Sequence, residues 1–439
     1  MIEQAQLREL IRTAPGFEQT SNIFLSAFQT ACAANQLPEF RATCAALFAD
    51  PASPFCRPYA FAYEARGFMH DYDFWLPPTA TEAFRPKPEL MNELERCLAR
   101  PEAINCRDNY YWLIVSGLME FIRGDMNLAF RQLSLAATYP DLYRIARCDM
   151  GGGAVFAKTY PTAADLAAAH ATPQFDRQAQ FVKRFATPPR FAISMAFDQI
   201  YGQAFGGRWI DNVETLASAG VGLHFHAMFR SAVDEALIVD LVSAAAARQV
   251  PLAISIEAGV TRSNAYYASA RFLKGASVLQ QIGCPMVLVD ADAFIPDPKV
   301  FAEVHLPQML AETRIMGLLS EGPWNGYLPW RRFSAGWVLC PQSEHARTFL
   351  DTTADAIDYF WDSRERNWWI DQMGLEIAKR VSESQHDGPR FGSIYTELPN
   401  LFDTSEAYKI EQISRLPAMR ARMDGGLNYW EALFDLHEK

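Results

Sequence analysis

The chain has 439 residues, more than one hydrophobic core usually organises, which predicts two domains rather than one. Half of the residues are hydrophobic and 13% are aromatic, so the composition provides for buried cores and excludes extensive disorder. The net charge of -11 is not offset by any run of Lys or Arg, which excludes nucleic acid as an expected partner.

Targeting signals and reactive cysteine pairs are not evident in the sequence. The first residues lack the basic and apolar regions of a secretory signal, and no uncharged apolar stretch is long enough to span a bilayer. The eight cysteines are isolated, with no C-x-x-C pair for zinc or redox chemistry. These features predict a cytoplasmic protein with reduced thiols and no transmembrane segment.

Residues 1–187 are predicted to form an all-α domain, because their apolar residues recur at three- and four-residue spacing. Residues 112–140 predict two helices joined at Gly124-Asp125. Their spacing of small and apolar residues resembles one tetratricopeptide repeat, at Leu113, Gly117, Ala129, Leu133 and Ala136. A generic helical hairpin would carry much of the same pattern.

Residues 188–439 show a different pattern, in which apolar runs alternate with amphipathic helices. The predicted strands are residues 191–195, 223–229, 252–256 and 285–289, and two of the predicted helices are residues 232–248 and 266–281. The glycines at 151–153 and Thr187-Pro188-Pro189 precede this change. The alternation predicts an α/β domain with a mostly parallel, Rossmann-like sheet.

Asp290 is the first charged residue after the apolar run 285–289, and Asp292 follows two positions later. Ligands of open α/β sheets bind at the carboxyl ends of strands, and a nearly extended chain directs both carboxylates to one side. Such a pair can hold Mn²⁺ or Mg²⁺ together with diphosphate oxygens and water. The pair therefore predicts a metal and diphosphate site, and the alternative is two solvated loop acids.

Four further segments accompany this pair in a fixed order. They are Phe197-Asp198-Gln199-Ile200-Tyr201, Tyr266-Tyr267-Ala268-Ser269-Ala270-Arg271-Phe272, Arg332-Phe333-Ser334-Ala335-Gly336-Trp337-Val338-Leu339 and Trp368-Trp369-Ile370-Asp371-Gln372-Met373. Together the motifs resemble nucleotide-diphospho-sugar transferases of the A-type glycosyltransferase fold, especially glycogenin-like enzymes and bacterial lipopolysaccharide galactosyltransferases. The resemblance runs over residues 190–380 and implies that fold for the α/β domain.

The resemblance implies nucleotide-binding roles for the first two segments. Asp198 would accept a hydrogen bond from the base or ribose, and Tyr201 would stack on the base. Tyr267 and Arg271 would lie toward the donor, where a guanidinium suits phosphate oxygens. The alternatives are a helix cap with a packed tyrosine, and a salt bridge from Arg271 to a site acid.

The third segment would line the sugar pocket on a strand, with Ser334, Ala335 and Gly336 at the donor. Small residues there would let the sugar approach the backbone. Ser334 stands where the family usually has Asn, so this sequence departs from the pattern at that position.

The fourth segment would lie beside the transferred sugar. The resemblance implies that Asp371 stabilises positive charge at the anomeric carbon and that Gln372 is the neutral group nearest the reacting face. An Asp at a helix start is also a routine cap. Trp368 and Trp369 would be a sugar-stacking platform or ordinary core aromatics.

These predictions describe a metal-dependent hexosyltransferase that uses a nucleotide-diphosphate sugar, with a UDP-sugar as the expected donor. A protein acceptor bound by the helical domain is one option, and saccharide and lipid acceptors stay open. An inactive scaffold is the main rival, for two reasons. Ser334 departs from the family pattern, and this sequence has no convincing match to the family's late His-Gly-Lys motif, which often supplies a third metal ligand. His386 is not expected to take that role. A nucleotidyltransferase is disfavoured by the lack of a glycine-rich basic loop.

His224 and His226 alternate along one predicted strand, so their imidazoles share a face. Two histidines at this spacing can bind zinc, but no third ligand is evident nearby. They are interpreted as structural or surface residues.

Overall fold

The computed structural model describes residues 4–78, 84–100, 109–139, 158–260, 264–361, 369–385 and 390–438. The chain forms two compact units. The first unit contains Met1–Ala167, Ser320–Phe333 and Tyr359–Glu376, and the second contains Ala168–Leu319, Ser334–Asp358 and Ile377–Lys439. Each unit therefore combines three stretches of chain, and the predicted boundary near residue 187 lies within the second.

The first part of the chain is predominantly helical. Its elements are α1 (Gln4–Thr13), α2 (Phe17–Ala33), α3 (Leu37–Ala49), α4 (Cys56–Met69), β1 (Trp75–Leu76), β2 (Arg85–Pro86), α5 (Pro88–Leu98), α6 (Asn109–Arg123), α7 (Met126–Ala136) and α8 (Ala163–Ala171). The antiparallel pair β1–β2, and a further strand at Gln180–Lys183, correct the prediction that residues 1–187 are all-α. Strands of two residues are too short for alternation to be visible in the sequence.

Helices α6 and α7 form the predicted hairpin, and Gly117 explains how closely they approach. A Cβ atom at Gly117 would lie 2.8 Å from Cγ of Leu133 and 3.0 Å from the Ala129 carbonyl oxygen. Gly124 takes the left-handed conformation at the turn, with φ of 93°. Asp125 then caps α7 by accepting a hydrogen bond from the Leu128 N–H. The helical hairpin is confirmed, and its identity as a tetratricopeptide repeat stays a prediction.

The rest of the chain alternates strands with helices. The strands are β3 (Gln180–Lys183), β4 (Phe191–Asp198), β5 (Val221–Met228), β6 (Leu252–Glu257), β7 (Met286–Val289), β8 (Ile315–Leu319), β9 (Phe333–Cys340) and β10 (Phe391–Ser393). The helices are α9 (Gln199–Glu214), α10 (Glu235–Ala247), α11 (Asn264–Leu273), α12 (Gly275–Ile282), α13 (Pro298–Val300), α14 (Leu306–Ala311), α15 (Glu344–Phe360), α16 (Ile370–Gln385), α17 (Ile394–Glu397), α18 (Glu406–Ser414), α19 (Pro417–Asp424) and α20 (Tyr429–Glu438).

These strands form one sheet of eight in the order β10-β8-β9-β7-β4-β5-β6-β3. The pairs β4–β5, β5–β6, β4–β7 and β8–β10 are parallel, whereas β3–β6 and β7–β9 are antiparallel. The α/β class and the mostly parallel sheet are therefore confirmed. Every residue of β4 and of β5 is buried, as expected for central strands covered on both faces.

The predicted helix 266–281 is two helices, α11 and α12, separated at Lys274. Its ammonium donates to the Asp176 carbonyl oxygen at 2.5 Å, so a tertiary contact holds the residue at the break. Gly283 ends α12 in the left-handed conformation, with φ of 71°, and the chain then enters β7. Within the described stretches, no helix has the length and apolar content that crossing a bilayer requires.

Candidate functional site

The carboxyl ends of β4 and β7 meet at one edge of the sheet because these strands are parallel neighbours. Asp198 is the last residue of β4, and Asp290 directly follows β7. On the other side of β4, Arg230 follows β5 and Glu257 ends β6. Acidic and basic groups from four adjacent strands therefore converge at the edge where α/β proteins bind ligands.

Backbone hydrogen bonds fix the loop that carries the two aspartates. The Asp290 N–H donates to the Gly336 carbonyl oxygen at 2.9 Å, which extends the β7–β9 pairing. The indole N–H of Trp209, on α9, donates to the Ala291 carbonyl oxygen at 2.9 Å. The Asn212 side chain accepts from the Ile295 N–H at 2.8 Å. Helix α9 thus anchors the Asp-Ala-Asp loop along its length.

Replacing Trp209 with Phe is expected to lower the free energy of unfolding by about 1–2 kcal/mol. The change keeps an aromatic ring but leaves the buried Ala291 carbonyl without its donor. Urea unfolding measures the loss, and Trp430→Phe is the matched control because that ring is 47% exposed. Equal unfolding free energies for the two variants would contradict the anchoring role of Trp209.

Arg271 forms a buried ion pair with Asp290. Its Nη1 lies 2.7 Å from Oδ1 of Asp290, and its side chain is 4% exposed. Its Nη2 donates to the Ala335 carbonyl oxygen at 2.9 Å, so the guanidinium links α11, β9 and the loop after β7. The structure therefore contains the salt bridge from Arg271 to a site acid, which was the alternative to ligand binding. A role in donor binding stays a prediction.

Lys409, on α18, forms the corresponding pair with Asp292. Its Nζ lies 3.0 Å from Oδ2 of Asp292 and 5.2 Å from the centre of the Tyr201 ring. Burial alone would lower the pKa of Lys409, but Asp292 and Tyr201 outweigh it and raise that pKa. Burial raises the pKa of Tyr201 to about 12. The site therefore contains a charged ammonium beside a neutral phenol.

Asp198 caps α9, since its Oδ1 accepts a hydrogen bond from the Tyr201 N–H at 2.9 Å. The Tyr267 hydroxyl donates to the Val260 carbonyl oxygen at 3.0 Å. Burial raises the pKa of Tyr267, and Arg230 opposes that rise through a hydrogen bond and its charge. The structure thus places Asp198, Tyr201 and Tyr267 at one sheet edge, while their contacts with a nucleotide stay predictions.

Strand β9 borders the two aspartates. Ala335 is buried, and its carbonyl oxygen receives the Arg271 hydrogen bond. A Cβ atom at Gly336 would lie 3.1 Å from Cδ1 of Leu318, 3.7 Å from Oδ2 of Asp290 and 3.9 Å from Oγ of Ser334. The glycine therefore lets Leu318 pack closely against β9 and puts no side chain beside the Asp290 carboxylate. Whether Ser334, Ala335 and Gly336 contact a sugar stays a prediction.

A chain of polar side chains runs through the buried face of β4, β5 and β6. His224 lies 2.8 Å from the Ser194 hydroxyl and 2.9 Å from the Ser255 hydroxyl, which is also 2.9 Å from Nδ1 of His226. Nε2 of His226 lies 3.6 Å from Glu257. Both imidazoles are fully buried, so the structural interpretation is supported and a surface position is wrong.

Glu257 connects this chain of buried polar side chains to the sheet edge. Its carboxylate accepts from the Tyr266 hydroxyl at 2.7 Å and lies 3.3 Å from Nζ of the buried Lys274. Burial would raise the pKa of Glu257, but contacts with His226, Lys274 and Tyr266 lower it to about 2. Glu257 is therefore an ionised acid held in place from three sides.

The two predicted catalytic residues belong to the first unit. Asp371 and Gln372 begin α16, where Oδ1 of Asp371 accepts from the Gln372 N–H at 2.8 Å. Trp369 precedes them with a positive φ of 65°, and the Arg331 guanidinium lies 5.0 Å from its ring. Trp368 and His386 lie outside the described residues. The catalytic roles of Asp371 and Gln372 stay predictions.

A divalent ion at this edge of the sheet would have Asp290 and Asp292 as its protein ligands. Asp290 is already paired with Arg271, and Asp292 with Lys409. The described ranges contain no group of three or more His, Cys, Asp or Glu residues able to hold a metal ion. These residues do not by themselves fit a resident divalent ion, because a metal would share each carboxylate with a basic side chain. The predicted Mn²⁺ or Mg²⁺ site stays a prediction.

Sequence reasoning missed three charged residues of this edge. Arg230 and Glu257 are the first charged residues after apolar stretches that form β5 and β6, so the rule that identified Asp290 could have found them. Lys409 had no such signal, since it lies in a polar C-terminal helix far from Asp292 in sequence. Its place follows from tertiary contacts.

No family model matches the chain, and no curated protein matches it. Among solved structures, the chain is similar to the WbbM bifunctional glycosyltransferase in its apo form, with 14% sequence identity and a TM-score of 0.32. The similarity covers 58% of this chain and 52% of that chain, so it spans about half of the WbbM structure. At this TM-score, the likeness assigns neither a fold family nor a function.

Proposed function

We propose that residues 188–439 form an A-type glycosyltransferase domain that transfers a sugar from a nucleotide-diphosphate donor. One observation supports the proposal. Asp198, Tyr201, Asp290 and Asp292 lie near the adjacent carboxyl ends of β4 and β7, at one edge of the sheet. Arg271 and Lys409 bring two basic side chains to the same edge. Crevices at this edge are the usual binding sites for nucleotides in open α/β sheets.

The proposed reaction substitutes the anomeric carbon of the donor sugar. An acceptor hydroxyl oxygen forms the new bond, the bond from that carbon to the diphosphate oxygen breaks, and the hydroxyl proton passes to a base. Negative charge builds on the departing diphosphate, so fixed positive groups at that position lower the barrier. The Tyr201 ring offers an apolar surface for a nucleobase.

The remaining roles rest on the sequence resemblance. Asp371 and Gln372 are proposed to lie beside the transferred sugar, with Asp371 stabilising positive charge at the anomeric carbon. The helical first part of the chain is proposed to bind the acceptor, and a protein is one acceptor class that helical hairpins recognise.

A screen of nucleotide sugars tests the proposal. We expect one donor, with a UDP-sugar the first choice, to raise the melting temperature by about 5 °C when its concentration is roughly 100 times Kd. Asp292→Ala is expected to abolish this shift, because Asp292 holds the ammonium of Lys409 and would also hold any metal. Asp240→Ala is the control, since Asp240 is an exposed residue of α10.

Release of UDP distinguishes an active glycosyltransferase from an inactive scaffold. Release of UDP from the selected donor, with sugar passed to water or to an acceptor, supports glycosyl transfer. Binding of the donor without any release of UDP would indicate the inactive scaffold. An unchanged thermal shift in Asp292→Ala would remove the proposed site.

A further inference from the structure

The positive charge beside Asp292 comes from the chain itself. Nζ of Lys409 lies 3.0 Å from Oδ2 of Asp292, and both side chains are only partly exposed, at 28% and 21%. An ammonium has three N–H donors, and within the described residues Asp292 and Tyr201 engage two of them. One donor therefore remains for an oxygen atom of a bound ligand.

The segment that carries Lys409 is anchored against the Asp-Ala-Asp loop. Phe294 and Asp403 exchange two backbone hydrogen bonds, at 3.0 and 2.9 Å, so the C-terminal segment pairs directly with the residues after Asp292. The Phe402 ring is buried, 5.7 Å from that of Trp337. The Tyr408 ring lies 4.8 Å from that of Phe294. Lys409 is thus positioned by the contacts of the residues that precede it.

The charges of this site are already balanced in pairs. A divalent ion placed between Asp290 and Asp292 would lie close to the guanidinium of Arg271 and the ammonium of Lys409. Each would repel it, because a doubly charged ion and a basic group a few ångströms apart interact strongly at the effective dielectric of a protein site. Lys409 supplies positive charge without this repulsion, because its ammonium neutralises the Asp292 carboxylate and still presents an N–H donor to a phosphate oxygen.

We infer that Lys409 is the resident cation of the Asp290–Asp292 site, and that it binds the diphosphate of the donor without a divalent metal. This inference rests on the proposed function, because it names how that site holds its donor. It replaces the predicted Mn²⁺ or Mg²⁺ by a lysine that the sequence motifs do not include.

Binding of UDP in the presence and absence of metal tests the inference. Calorimetric titrations of the full chain are made in EDTA and, separately, in Mn²⁺. We expect the wild-type Kd to agree within twofold between the two conditions. Lys409→Met is expected to weaken UDP binding at least tenfold in EDTA, because the methionine removes the charge and leaves Asp292 facing the diphosphate. Lys409→Arg keeps the charge and is expected to retain most of the affinity.

Lys299→Met is the matched control, since Lys299 is exposed and lies outside this cluster. Circular dichroism establishes that each variant is folded, and the wild-type comparison needs no variant at all. Wild-type binding that requires Mn²⁺ would overturn the inference while leaving glycosyl transfer in place. Unchanged affinity of Lys409→Met in EDTA would do the same. Failure of UDP to bind under either condition would overturn both.

Discussion

Replacing Arg271 with Met is expected to lower the free energy of unfolding by roughly 3 kcal/mol. The guanidinium is 4% exposed and contacts both Asp290 and the Ala335 carbonyl oxygen. Methionine has a similar length, so the main loss is electrostatic. One partly buried carboxylate loses its counter-charge, and one buried carbonyl loses its donor, and both changes are costly away from water.

Urea unfolding measures this effect, and Arg248→Met is its matched control. Arg248 also forms an ion pair, 2.6 Å from Asp211, but its side chain is 36% exposed. A solvated pair contributes little, so the control is expected to lose less than about 1 kcal/mol. A similar loss of unfolding free energy in both variants would show that the buried Arg271 pair stabilises the protein no more than an exposed pair does.

A double-mutant cycle assigns the loss to the pair. Asp290→Asn removes one charge and keeps the shape of the side chain, and the double variant removes both charges. We expect the double variant to be more stable than the sum of the two single losses predicts, by about 1 kcal/mol or more. Strictly additive losses would mean that the two side chains do not stabilise each other.

The central part of the sheet was predictable because its strands are mostly apolar. Residues 191–198, 221–228 and 286–289 are covered on both faces, which favours largely apolar stretches, interrupted here by Ser194, His224 and His226. The position of Asp290 follows from the same signal. Strand β8 also has an apolar run and was missed, whereas the three-residue β10 and the antiparallel edge strand β3 have no such run, and their places depend on partners distant in sequence.

The chemical identity of the site was less predictable than its position. Asp290 and Asp292 could be selected from the sequence, but their partners Arg271 and Lys409 change what the pair can bind. The sequence resemblance implies that Arg271 contacts a ligand, whereas the structure pairs Arg271 with Asp290. Lys409 reaches Asp292 through the pairing of Phe294 with Asp403, a contact between distant segments that no local pattern encodes.

The buried polar chain is expected to make the protein strongly sensitive to acid. Burial, with a further contribution from His226, lowers the pKa of His224 to about 3. The same group has a pKa near 6.5 when unfolded. Between these values the unfolded chain binds a proton that the folded protein does not, so the free energy of unfolding falls as the pH falls. His224 alone is expected to contribute roughly 1.4 kcal/mol per pH unit below about pH 6.

The neighbours of His224 act in the same direction. Burial also lowers the pKa of His226, although Glu257 opposes that shift. Glu257 itself has a pKa of about 2, so its contribution to stability is present above pH 4.5 and is lost as the pH falls toward 2. The hydroxyls of Ser194 and Ser255 do not titrate in this range. The wild-type slope is therefore expected to exceed the slope from one histidine.

Comparison with His224→Phe isolates the contribution of the buried imidazole. The variant keeps an aromatic ring in the sheet and removes the group whose pKa differs between the folded and unfolded states. Its stability at pH 7 will change for packing reasons, so the informative quantity is the slope of unfolding free energy between pH 6 and pH 4. That slope is expected to fall by roughly 1.4 kcal/mol per pH unit relative to the wild type. His170→Phe, at a side chain that is 63% exposed, is the control. Equal slopes in the wild type and in His224→Phe would mean that the imidazole gains a proton inside the folded sheet, and the buried chain of Ser194, His224 and Ser255 would then have to open without unfolding the protein.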